Sequence, residues 1–299
     1  HFYTPQLMEI PPALLEESNE MYLLVVGYPG YRCGLAPVWL GEHDALFDAW
    51  RQRRFWQVEG NAATIVINLS MAVFVLLMGF RDRTQSAYLW FGASAVVWAM
   101  RNLNYWVTNP IIPDLLFAKL CVSGSAWFVA LFAIFSMRFT EAHFPGYRGP
   151  RWFKTFALAY ALIATTHFLL APDYASANSG FMLLSLIGIG LTLWSVWRLL
   201  RLAWTLRTTH LVAVAAGATT YLLLLLNDFS IGTDTSNLGE VFMRQYAALP
   251  LFIAITTTLG SRYREALQSS QELAASLQTQ VEQQRKQIQP SFDQLRDAE

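Results

Sequence analysis

Asp114–Phe139 reads DLLFAKLCVSGSAWFVALFAIFSMRF. Its apolar residues surround a helix on every side, with none of the alternation a barrel strand needs. Its length exceeds the roughly 20 residues that cross a hydrocarbon core. Six further runs share these properties: Ala62–Phe80, Ser86–Val107, Phe153–Ala171, Ser179–Trp204, Thr209–Phe229 and Arg244–Arg262. Turn-forming and charged residues punctuate them at Arg81-Asp82-Arg83, Asn109-Pro110, Pro145-Gly146, Pro172-Asp173 and Gly232-Thr233-Asp234. The expected fold is an all-α membrane protein, a seven-transmembrane helix bundle.

The composition agrees. The chain is 54% hydrophobic and 14% charged, where a soluble domain carries nearer a quarter charged. Net charge is zero, which gives no basic surface for nucleic acid. Cys33 and Cys121 fall in different environments, the second inside a span, so they read as two free thiols. No metal-ligand spacing and no cofactor motif occurs.

Residues 1–57 are not membrane-like. Met21–Val26 and Leu35–Leu40 read as strands around a turn at 27–34, the end of a small extracytoplasmic β segment. Two strands bury too little to stand alone, so earlier strands are expected upstream. Leu46–Trp56, with Arg51, Arg53 and Arg54, reads as an amphipathic helix, either a solvated connector or a contact to lipid headgroups. The start at His1 and the stop at Glu299 within a helical pattern suggest a piece of a longer protein.

Basic residues set the orientation of the 58–262 bundle. Alternate loops carry Arg81 and Arg83, then Arg148, Arg151 and Lys154, then Arg198, Arg201 and Arg207, then Arg262 and Arg264. The other loops carry Asp173, Asp234 and Glu240. This places the N-terminus outside and the C-terminus in the cytoplasm.

From 263 to 299 the composition turns polar around a heptad. Leu267, Ala274, Val281, Ile288 and Leu295 occupy one core position, and Leu277 is the apolar member of the other. Such a seam suits a parallel two-stranded coil and hence a homodimer. The alternative is one amphipathic helix on the membrane surface, which the sparse positive charge disfavours. Pro290 is expected to kink or interrupt the helix.

Polar residues inside spans are costly, and they face a bundle interior or mark a site. Arg101, Asn102, Asn104 and Tyr105 in span 2, Lys119 in span 3, His167 in span 4, and Asn227 and Asp228 in span 6 fall at one depth near the outer face. Asp228 is the expected partner of Arg101 or Lys119. The layer reads either as a pocket for a small-molecule ligand or as a clasp fixing helix packing. Arg138 reads as an interface anchor.

Several sharper readings fail. Arg244–Arg262 holds no lysine for a retinal Schiff base. Ser136-Met137-Arg138-Phe139 and Leu249-Pro250 stand where a G-protein-coupled receptor would show its marks. No phosphate loop, zinc-protease motif or nucleophile elbow occurs, so no catalytic residue is identified. A membrane enzyme using His167 and Asp228 lacks a nucleophile.

The layout resembles the bacterial seven-transmembrane receptors with diverse intracellular signalling modules. The similar stretches are Met21-Tyr22-Leu23-Leu24-Val25, Trp98-Ala99-Met100-Arg101-Asn102-Leu103-Asn104-Tyr105 and Leu225-Leu226-Asn227-Asp228-Phe229. Glu272–Leu277 and Ser291–Glu299 are similar to the linker before a sensor histidine kinase's dimerisation helix. The resemblance implies a receptor in the bacterial inner membrane, dimeric through 263–299. The family's output modules include kinases, diguanylate cyclases and phosphatases; the tail favours a kinase module after residue 299, which would signal to a response regulator. The alternative is a membrane transporter or channel-like protein, which would need a polar path across the whole bilayer.

Overall fold

The computed structural model describes residues 4–24, 38–81, 86–107, 110–144, 146, 148–233 and 242–298, and among these all regular structure is helical. Helix α1 (His43–Arg54) passes through a π-helical turn, Phe55–Glu59, into α2 (Gly60–Arg81). Then follow α3 (Ser86–Trp106), α4 (Asp114–His143), α5 (Trp152–Leu170), the short α6 (Tyr174–Ser179), α7 (Phe181–Leu206) and α8 (Thr209–Thr233). A 3-10 turn at Arg244–Tyr246 precedes α9 (Leu249–Ala298).

Each of the seven apolar runs lies for most of its length on one helix. Five helices are long and apolar enough to cross a membrane: His43–Arg81, Asp114–His143, Trp152–Leu170, Phe181–Leu206 and Thr209–Ile231. Helix α3, carrying Arg101, Asn102 and Asn104, and the start of α9 are not among them. The last run was expected to begin at Arg244. The helix starts instead at Leu249, where Pro250 sits in the first turn and costs no hydrogen bond. Of the kink or interruption expected at Pro290, the interruption does not occur, since α9 continues through it.

No strand occurs among the described residues. Met21–Leu24 and 38–40 have no regular structure, and the rest of both expected strands, with the turn and Cys33, lies outside the described residues. Asp82, Arg83, Asn109, Pro145, Asp234 and Glu240, used above to place loops and orientation, also lie outside them, as do the side chains of Ile288 and Leu295.

The chain divides into His1–Ala254 and Ile255–Glu299. In the first unit α4 is the centre: 72% of its most apolar window is buried, against 33% for α5. It packs on α3, α5 and α7, while α2 packs on α3 and α8 on α7. Phe128, Phe132, Phe135 and Phe139 recur at helical spacing along one buried face of α4. Successive rings stand 6.0, 6.1 and 5.2 Å apart. Phe91 of α3, Tyr221 of α8 and Phe252 of α9 pack against this row.

Between α4 and α5 the seam is small. Ala130 and Ile134 meet Ala157 and Ala161, so the backbones approach closely. Lipid is as apolar as leucine, and dispersion in such close-fitting seams, rather than burial from water, holds the helices together. Val66, Leu77, Leu162, Ile163, Leu183 and Leu223 point outward and are exposed, which fits a lipid-facing surface. Serines and threonines within the helices bond back to their own helix, as Thr64 to the Gly60 carbonyl and Thr140 to that of Ser136.

The second unit is the remainder of α9. Its side chains are exposed from Glu265 to Arg285, including the heptad residues Leu267, Ala274, Leu277 and Val281.

Candidate functional site

The expected polar layer resolves into two groups of contacts. The first is built on the C-terminal turns of α3. Arg101, buried, donates from Nε to Ser125 Oγ at 3.2 Å, from one terminal nitrogen to Asn102 Oδ1 at 3.1 Å, and from the other to the Tyr105 hydroxyl at 2.8 Å. Its guanidinium also lies over the rings of Trp98 (5.4 Å) and Tyr105 (4.6 Å). The one-turn spacing of Arg101 and Tyr105 puts these two on one helix face.

Asn102, fully buried, connects three segments. Its carbonyl accepts from Asn61 Nδ2 at the start of α2 (2.9 Å), and its own amide donates to the Gln245 carbonyl (3.2 Å). Gln245 Nε2 and the Tyr246 hydroxyl both donate to the Trp56 carbonyl, each at 2.6 Å. That carbonyl belongs to the π-helical turn, an irregularity of the kind that gathers at functional sites. Gly60 is required nearby, because a side chain there would run into the Tyr246 hydroxyl.

Asp228, buried near the end of α8, closes the group. Its two oxygens accept the backbone N–H groups of Met243 (3.1 Å) and Arg244 (2.7 Å), and Asn227 Nδ2 is 3.4 Å away. Arg101 or Lys119 was expected as its partner; the hydrogen bonds of Asp228 go instead to these backbone N–H groups. The acid holds the turn that leads into α9. Asn227 itself is exposed.

Lys119 and His167 belong to the second group. Lys119 Nζ donates to the Ala171 carbonyl, capping the end of α5. His167 Nε2 bonds the Ala177 carbonyl at 3.2 Å, tying α5 to α6. Asp173 caps α6 by accepting the Ser176 N–H at 2.8 Å, which holds its carboxyl below the ordinary aspartate range. Lys119 and His167 therefore fix a loop rather than face Asp228. Asn104 is half-buried, and Cys121 is a buried free thiol. Arg138, expected as an anchor, is exposed and bonds half-buried Glu141 at 3.4 Å.

Sequence reasoning missed several members. Asn61, Asn68, Arg244 and Gln245 sit at the edges or inside apolar runs as isolated polar residues. The seven-residue spacing of Asn61 and Asn68, with Thr64 between, places all three on one face of α2, and all are buried. Buried polar atoms without a hydrogen-bond partner concentrate here: Asn61 Oδ1, both amide atoms of Asn68, Trp98 Nε1, Arg244 Nε and Gln245 Oε1. Each such atom costs on the order of 1–3 kcal/mol if nothing meets it. Among the described residues no group of three His, Cys, Asp or Glu side chains is placed to hold a metal ion.

No family profile, no curated protein and no solved structure matches this chain.

Proposed function

We propose that the chain is the sensory and relay part of a membrane receptor, passing an extracytoplasmic or membrane signal to a cytoplasmic output domain after residue 299. The observation that carries this reading is the closure of the buried polar layer on Arg244–Tyr246. Asn102, Asp228 and Trp56 all hold this turn, and α9 begins three residues later. A stimulus that rearranges the layer must act on the start of a helix that runs on to Ala298. A ligand shifts such an element only by its differential affinity for two arrangements.

In this reading α3 and the start of α9 join the five apolar helices to make seven spans, with the N-terminus outside and the C-terminus in the cytoplasm of a bacterial cell. Residues 1–57 end an outer β-domain. Exposed Leu267, Ala274, Leu277 and Val281, with Ile288 and Leu295, form the seam of a homodimeric coil. The output is a histidine kinase module acting on a response regulator, as the resemblance to the seven-transmembrane receptors implies. The seam's second position is largely polar, through Ser270, Gln284 and Ser291, which favours two registers of similar energy. Leucines at these three positions should freeze output in the protein carrying its output domain. A stimulus response unchanged by them overturns the relay.

A transporter is the second reading. Asn68 favours it, because its wholly unpartnered amide takes the polar file about two turns deeper along α2 than Asn61. Flux of a solute into proteoliposomes, abolished by Asn68→Leu, would establish that reading over the receptor.

A further inference from the structure

Three hydrogen-bond donors meet around one indole. Trp98 Nε1 and the Tyr221 hydroxyl belong to side chains with no exposed surface; Trp98 Nε1 has no partner, and the hydroxyl has none but the neighbouring Arg244 guanidinium, which leaves its own O–H unused. Arg244 Nε is buried and has no partner. The rings of Trp98 and Tyr221 stand 5.7 Å apart, and the Arg244 guanidinium carbon lies 6.0 Å from the centre of the Trp98 ring. Arg101, fixed by Ser125, Asn102 and Tyr105, adds a second positive charge 5.4 Å from the same ring.

The chemistry of this set is one-sided. Indole and guanidinium nitrogens can only donate, and a phenol donates readily. Orphaned buried donors are rare in native proteins, and each marks something that meets it. Asp228, the acid of this group, is turned to the backbone N–H groups of Met243 and Arg244. A planar anion with two acceptor oxygens satisfies three donors and offsets guanidinium charge without needing further acceptors. Phe128, whose ring is 4.4 Å from Trp98 and 5.2 Å from Tyr221, gives the group an apolar flank.

We infer that Trp98, Tyr221 and Arg244 form a buried binding site for the carboxylate of a small organic acid. The inference deepens the receptor reading by giving the class of stimulus, and it rests on that reading only for the consequence of binding. Arg244 lies in the turn before α9, so the ligand would hold the same segment that Asp228 holds through its backbone.

The test is thermal unfolding of the purified protein in lipid nanodiscs, titrated with sodium formate and sodium acetate against sodium chloride at matched ionic strength. Trp98→Phe and Tyr221→Phe each remove one donor and keep the ring. A ligand that binds only the folded state raises Tm saturably. The expected result is saturable stabilisation by the carboxylates, with apparent affinity weakened about tenfold or more in each variant. Tyr221→Phe changes one atom, so a folding defect in Trp98→Phe does not remove the test. A shift no larger than that with chloride, or one left unchanged by Tyr221→Phe, overturns the site. Carboxylate binding that passes these controls but never alters output in cells refutes the receptor reading and leaves the site standing.

Discussion

Gly217 on α8 gives the sharpest test of how the start of α9 is held. A methyl group added there would lie 2.7 Å from the Leu251 Cα, 2.8 Å from its nitrogen and 3.0 Å from the Pro250 carbonyl carbon. All three neighbours are backbone, so no rotamer change can make room. Ordinary contact begins near 3.4 Å, and α8 and the first turn of α9 must separate by several tenths of an ångström. Alanine's better helix propensity returns about 1 kcal/mol. Overpacking costs about 1–3 kcal/mol, and rigid neighbours put this case at the upper end. Gly217→Ala should therefore destabilise by about 1–2 kcal/mol. Gly190→Ala on α7 is the control, since nothing lies within 4 Å of its added methyl. It should be neutral or slightly stabilising. Thermal unfolding in nanodiscs reads both, and equal stability of the two variants would refute the placement of α9 against α8.

Asp228→Asn keeps the shape but takes the charge from two backbone hydrogen bonds, and a loss of about 1–3 kcal/mol is expected in the same assay. Wild-type stability there rejects Asp228 as the clamp on the turn. Lys119→Met keeps the length and removes the cap on the Ala171 carbonyl, so faster proteolysis near 171–180 is expected, and an unaltered cleavage pattern speaks against the cap. Asp173 has its pKa lowered in the folded chain by the Ser176 N–H. Its contribution is thus full above the unfolded value, near pH 4, and is lost as pH falls through the folded one. A carboxyl carbon titration should place its midpoint below that of an unstructured aspartate, and a normal midpoint contradicts the cap.

The helices were legible because an apolar run of membrane length has few other ways to satisfy its backbone. Arg101, Asn102, Tyr105 and Asp228 were legible for a related reason, since polar groups inside such runs must meet one another. Depth along the chain, however, does not tell which helices are neighbours around the bundle. Lys119 and His167 share a depth with Arg101, yet they serve the α5–α6 loop. Asn61, Asn68 and Gln245 escaped notice because neutral amides barely lower the apolarity of a run, although their burial makes them costly. The backbone partners of Asp228 were not legible because sequence shows charges and hides backbone N–H groups. The turn at Arg244–Tyr246 presents two of these at close range.

Hydrogen exchange tests the relay most directly. Amides of α9 from 255 to 285 would be followed in the wild type and in Asp228→Asn, both in nanodiscs. If the buried layer governs α9, loosening of 242–254 is accompanied by changed protection far along the helix, toward Val281. Loosening confined to 242–254, with the distal amides exchanging as in the wild type, would contradict the account.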